Sequence, residues 1–169
     1  MKKIILLTLL LLTTKLCYGA DDAVVAQGGW LHTSSSAYDD SGTVSARYEY
    51  RLYKNLWLAP EYPYHGPMSH NTGQDVSYGD VSGHSVLLDI LYYPSVSWKL
   101  KPSALAGAGY SWWNFKNEPP DVTVKLGDSF AYKGGLGAIY PINTSWSIVT
   151  EWSFFKTDIP KDAVNSDGS

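Results

Sequence analysis

His84, Ser85 and Asp89 place a base, a hydroxyl and a carboxylate within six residues of one another. Acyl transfer needs that set: a histidine must reach a serine hydroxyl to take its proton, and a carboxylate must orient the ring. The spacing argues against it. The segment reads as a strand, and neighbouring strand residues point to opposite faces, so His84 cannot activate Ser85. The other histidines are His32, His65 and His70. His65 and His70 lie near Asp75 in a polar connection, but their spacing has no metal-site signature. Cys17 is the only cysteine, and it falls in a segment read as a leader. The mature chain therefore has no disulfide, thiol nucleophile or thiolate ligand. Phosphate-loop, EF-hand and dinucleotide motifs are absent. The expectation is a protein with no catalytic residues, no metal and no cofactor. An acyl hydrolase or transferase acting on lipid is the enzyme alternative.

The net charge is −3 and the charged fraction 17%, which gives no basic stripe for nucleic acid. Aromatic residues are abundant, with 13 tyrosines and 7 tryptophans, as at a boundary between water and lipid. Residues 1–19 carry Lys2 and Lys3, then an apolar run from Ile4 to Leu12, with Cys17 and Gly19 at the small-residue positions before a cut at Ala20. This is the pattern of a secretory signal peptide, and the run is too short to cross a bilayer as a helix.

Beyond residue 20 the apolar pattern has period two. Thr43 to Tyr53 puts Val44, Ala46, Tyr48, Tyr50 and Leu52 on one face, and Ser45, Arg47, Glu49 and Arg51 on the other. Six further strands are predicted over about 23–33, 56–65, 80–93, 98–115, 129–140 and 146–156. Tight connections at Lys54-Asn55, Pro94–Ser97 and Pro141–Ser145 alternate with long polar ones over 34–42, 66–79 and 116–128. Short turns at one end and long loops at the other mark an up-and-down transmembrane barrel. Aromatics gather near both strand ends. Trp57, Tyr92, Trp98, Tyr140 and Trp146 lie near the tight turns, and Trp112, Tyr132 and Trp152 near the long loops. They read as two interfacial girdles. Period two by itself does not say which face is inside, so a soluble barrel or sandwich with its apolar face inward is the rival reading.

If the barrel sits in lipid, its charged face lines the lumen with Arg47, Glu49, Arg51, Glu61, Asp89, Lys101, Lys133 and Glu151, four of each sign. In so narrow a space they should pair into a plug. Gly107, Gly109, Gly135 and Gly137 leave room at mid-barrel or mark a bend. Pro60 and Pro63 remove ladder donors, which loosens the wall or ends or bulges the strand there. Seven strands are an odd number and leave two open edges in lipid. The domain therefore reads as 20–156, with 157–169 as the start of an external loop. A fragment, a frameshift or a strand from a partner chain would explain the missing closure.

The segments 101–116 (KPSALAGAGYSWWNFK) and 127–158 (GDSFAYKGGLGAIYPINTSWSIVTEWSFFKTD) resemble the OmpW family of small outer-membrane barrels, and 84–94 matches more loosely. The resemblance covers about the second half of the mature chain. It implies an eight-stranded barrel with a narrow apolar channel for passive uptake of small hydrophobic molecules, resident in the bacterial outer membrane. Its partners would be outer-membrane lipid, a small hydrophobic solute and the barrel-assembly machinery. Two departures stand out: the family's closing strand with its terminal aromatic is absent, and the lumen is charged at mid-depth. A surface receptor or anchor acting through its external loops is the alternative function.

Overall fold

In a computed structural model of the chain, residues 4–17, 21–33, 39–69, 80–116 and 129–157 are described. They form eight antiparallel strands: β1 (Ile4–Cys17), β2 (Asp22–Thr33), β3 (Ser41–Tyr53), β4 (Leu56–Ser69), β5 (Asp80–Tyr92), β6 (Lys101–Lys116), β7 (Ser129–Pro141) and β8 (Trp146–Thr157). Each strand pairs with its sequence neighbours, and β1 pairs with β8 to close the barrel. All seven predicted strands are present. Those beside the long connections run further than expected, because their ladders continue through Ser69 to Asp80 and through Lys116 to Asp80.

The eighth strand is the segment read as a leader. β1 lies between β2 and β8, with Thr8 paired to both Leu31 and Ser153. Its sequence lacks the period-two pattern of the other strands, and both of its ladders shift register before Thr13. A continuous apolar run offers backbone groups at every residue, and the open edges of β2 and β8 need them. The closure expected from a missing strand is supplied here by 4–17.

Inside and outside follow the alternation. In β3, odd-numbered Arg47 and Glu49 are buried while Tyr48 and Tyr50 are exposed. In β5, Ser85, Leu87, Asp89 and Leu91 are buried, whereas Val86, Leu88, Ile90 and Tyr92 are exposed. The outer wall is thus the apolar face, and the charges are inside. Ile90 is 54% exposed, Leu136 62% and Trp152 48%. A soluble barrel has the opposite arrangement.

The tight turns come at Lys54-Asn55, at 93–100 and at 142–145. Lys54 takes a positive φ of 39°, in the left-handed region that two-residue hairpins require. Asn143 closes its turn by accepting the backbone N–H groups of Ser145 and Trp146, both at 2.8 Å. Trp98, expected inside a strand, lies in the 93–100 connection, and β6 starts at Lys101.

Candidate functional site in the barrel interior

The interior is layered. At the tight-turn end, Trp57, Ala59, Leu91 and Leu105 cluster, with Tyr93 packed against them. At the other end, Leu31, Met68, Val81, Leu87, Trp113, Ala131 and Phe155 form a second apolar cluster. A charged layer separates the two.

That layer is built across the lumen from five strands. Register alone makes Arg47 of β3 the cross-strand partner of Glu61 of β4. The Arg47 guanidinium reaches Glu49 Oε1 at 3.0 Å and Glu151 Oε2 at 2.9 Å, and lies 3.7 Å from Glu61. Lys133 Nζ donates to Glu61 at 2.7 Å and to Glu151 at 2.9 Å. Gln27 donates to Glu151 at 3.4 Å and accepts from Ser45 Oγ at 3.1 Å. The Tyr93 hydroxyl, just beyond β5, donates to Glu49 at 2.8 Å. Burial and the Glu49 carboxylate push the pKa of that phenol up, which keeps it a donor.

Six of the eight predicted lumen residues lie here: Arg47, Glu49, Glu61, Asp89, Lys133 and Glu151. Arg51 and Lys101 do not. Arg51 is half-buried at the rim, where it pairs with exposed Asp21 at 3.0 Å and stands 4.8 Å over the Trp57 ring. Lys101 is exposed at the start of β6. Both have the inward parity, but they sit at strand ends, where an inward side chain meets water. The predicted balance of four and four therefore becomes two buried cations against four buried carboxylates.

The predicted girdle needs one correction. Trp57 is buried inside the barrel, edge-on to Tyr93 at 5.7 Å, because it shares the odd parity of Ala59 and Glu61 in β4. Tyr92, Trp98, Tyr132, Tyr140, Trp146 and Trp152 are exposed on the outside. Trp112 is half-buried beside His84, which is itself stacked against Tyr62.

The glycines do not leave empty space. A Cβ at Gly107 would collide with the Asp89 carboxylate, and one at Gly109 with the Val86 carbonyl. Cβ atoms at Gly135 and Gly137 would come within 2.6 Å of the Trp152 and Thr150 carbonyls. The bare backbones are filled by neighbours, and the lumen is packed rather than widened.

His84 points outward and Ser85 inward, where Ser85 shares a 2.7 Å hydrogen bond with Ser111. The histidine and serine are therefore not brought together. His70 and Asp75 lie outside the described residues. His65 is buried in the upper apolar cluster, stacked on Trp113 at 5.6 Å and close to Phe155 at 5.0 Å. Its Nε2 and the indole N–H of Trp113 have no hydrogen-bond partner among the described residues. The predicted strand over 56–65 ended at His65, which was read with the following loop; β4 instead continues to Ser69 and keeps His65 inside the barrel.

A cavity of about 40 Å³ lies between the charged layer and the upper cluster, bounded by Glu61, Lys133 and Glu151 below and by His65, Leu87 and Phe155 above. It has room for a few water molecules.

The wall is irregular on both sides of β4. Ladder pairs between β3 and β4 run from Thr43–His65 to Arg47–Glu61 and resume at Tyr50–Leu58. The skipped positions are those beside Pro60. Between β4 and β5 the pairs stop at Glu61–Leu87 and resume at Tyr64–His84, skipping Pro63. Each proline lacks the N–H its seam would use. The strand neither ends nor changes register there; its shift comes later, between His65 and Met68.

No family model and no curated protein matches the sequence. Among solved structures, the chain is similar to the outer membrane protein OprG from Pseudomonas aeruginosa, with a TM-score of 0.52 over 92% of this chain and 94% of that one, at 14% identity. The fold is that of a small outer-membrane β-barrel. As in barrels of this type, the strands run up and down in sequence order, with polar groups inside and apolar groups outside.

Proposed function

We propose that this protein resides in the bacterial outer membrane and gives small hydrophobic molecules a passive route that leaves through the side of the barrel. The observation that carries the reading is an apolar outer wall closed around buried charges. Such a wall is stable only against lipid, where a closed ladder leaves few backbone groups unpaired. The likeness of 101–116 and 127–158 to OmpW-family strands supports the same solute class. Insertion would then fall to the barrel-assembly machinery.

A straight path down the lumen does not suit an apolar solute, because the charged layer blocks it. The upper apolar cluster ends on the cavity that Pro63 helps to line, and Pro63 also interrupts the neighbouring seam. A weakened wall beside a small cavity with an apolar roof and a charged floor favours exit through the side over passage down the lumen.

Two experiments test this. In vesicles of brominated lipid, a variant keeping only Trp152 should be strongly quenched, and variants keeping only Trp57 or Trp113 should be quenched little. Equal quenching would place the apolar face elsewhere. Pro63→Val and Pro60→Val each restore one wall donor. At about 0.5–1.5 kcal/mol per hydrogen bond, each should slow entry of an apolar dye into protein-containing vesicles by roughly two- to tenfold. Unchanged rates in both variants would remove the side route.

A further inference from the structure

Asp89 is the carboxylate that the charged layer leaves over. It is 0% exposed, and neither of its oxygens meets a hydrogen-bond donor among the described residues. Lys133, the nearest cation, is 3.8 Å away from Oδ2 and spends its hydrogen bonds on Glu61 and Glu151. Arg47 is likewise engaged, by Glu49 and Glu151. On the β6 side, the Asp89 carboxylate is pressed against the bare backbone of Gly107, with no side chain to answer it. On the β4 side Glu61 is its diagonal inward neighbour, since Ala59 pairs with Asp89 and Glu61 with Leu87, and both carboxylates lie within 4 Å of the same Lys133 Nζ.

A fully buried carboxylate with no hydrogen-bond donor, next to a second carboxylate that holds the shared lysine more closely, is among the costliest arrangements a protein can hold. Two neighbouring carboxyl groups relieve it by keeping one proton between them.

We propose that Asp89 is held as the neutral acid and donates its O–H to the Glu61 carboxylate, so that the plug contains a built-in proton-binding site. With the proton bound, Glu61 accepts from both Asp89 and Lys133, and three carboxylates face two cations. The groups that surround the site are Arg47 and Glu49 from β3, Glu61 and His65 from β4, Lys133 from β7, Glu151 from β8 and Tyr93 beyond β5. Loss of the proton places a second negative charge against Glu61 with no free donor to meet it, and the plug loosens. The folded barrel binds this proton and the unfolded chain at neutral pH does not, so stability falls as pH rises above the ordinary carboxylate range and levels off once the site has emptied. The proposal does not depend on which solute passes.

Infrared spectroscopy of the full chain in an ester-free detergent reads the site directly. Wild type at neutral pH should show the C=O stretch of a protonated carboxyl. Asp89→Asn should abolish the band, and so should Glu61→Gln, which frees Lys133 to pair with an ionised Asp89. Glu151→Gln should keep it. Above the ordinary carboxylate range and for as long as the band persists, the wild-type folding equilibrium should fall by up to tenfold per pH unit. Absence of the band from wild type at neutral pH would overturn the proposal whether or not any variant folds. So would its persistence in Asp89→Asn.

Discussion

Lys133→Met should destabilise the barrel by about 3–5 kcal/mol. The lysine holds Glu61 and Glu151 at 2.7 and 2.9 Å and lies near Asp89. Removing it leaves one buried cation, Arg47, facing Glu49, Glu61 and Glu151 as well as the Asp89 carboxyl. Methionine keeps most of the volume, so the loss is electrostatic rather than a cavity. Urea unfolding in lipid vesicles, followed by tryptophan emission, measures it. A loss below about 1 kcal/mol, the size of a surface ion pair, would mean that water reaches the layer and screens it. Adding Glu61→Gln to Lys133→Met should then recover part of the loss, because two groups in direct contact do not contribute independently.

Gly109→Ala is the second change with a large expected effect. The new Cβ would collide with the Val86 carbonyl and would lie 2.9 Å from the Leu87 Cα. Both are backbone atoms of the paired strand, so no rotamer change relieves the clash. β5 and β6 must move apart along a ladder that is otherwise continuous from Asp80–Lys116 to Tyr92–Ala104. Overpacking of this kind costs about 1–3 kcal/mol, and the cost should be at the upper end because the backbone itself has to yield. The same vesicle unfolding measures it. Gly28→Ala provides the comparison, since a Cβ at Gly28 meets nothing within 4 Å, and it should leave stability unchanged.

The strands were legible because seven of them alternate, and because Lys54-Asn55 and Pro141–Ser145 have the residues that turns require. The inward parity of Arg47, Glu61, Lys133 and Glu151 followed directly. Depth did not. Arg51 and Lys101 have the same parity as the plug residues, yet they end in water, because position along the strand is set by register and by where each turn begins. Trp57 was misplaced for the opposite reason: an aromatic near a turn suggests a girdle, while its odd number puts it inside with Glu61. That Asp89 and Glu61 are inward neighbours depends on the register of β4 against β5, which no single segment encodes. β1 was not legible as a strand, since its apolar run from Ile4 to Leu12, broken only by Thr8, has no face to read. Its pairing follows from the edges of β2 and β8.

The cross-lumen pairs bear on how the barrel assembles. Arg47 meets Glu151 across the lumen from strands 104 residues apart in the chain, and Lys133 meets Glu61 across 72. Neither pair can form while the sheet is still open, and local hairpins bring neither together. These two pairs therefore contribute nothing to early intermediates and everything at closure, whereas the local contacts of Arg47 with Glu49 and Glu61 can form earlier. Closure should be the slow, all-or-none step of folding, as expected where long-range contacts dominate, with the ion pairs appearing on the unfolding side of the kinetic barrier rather than the folding side.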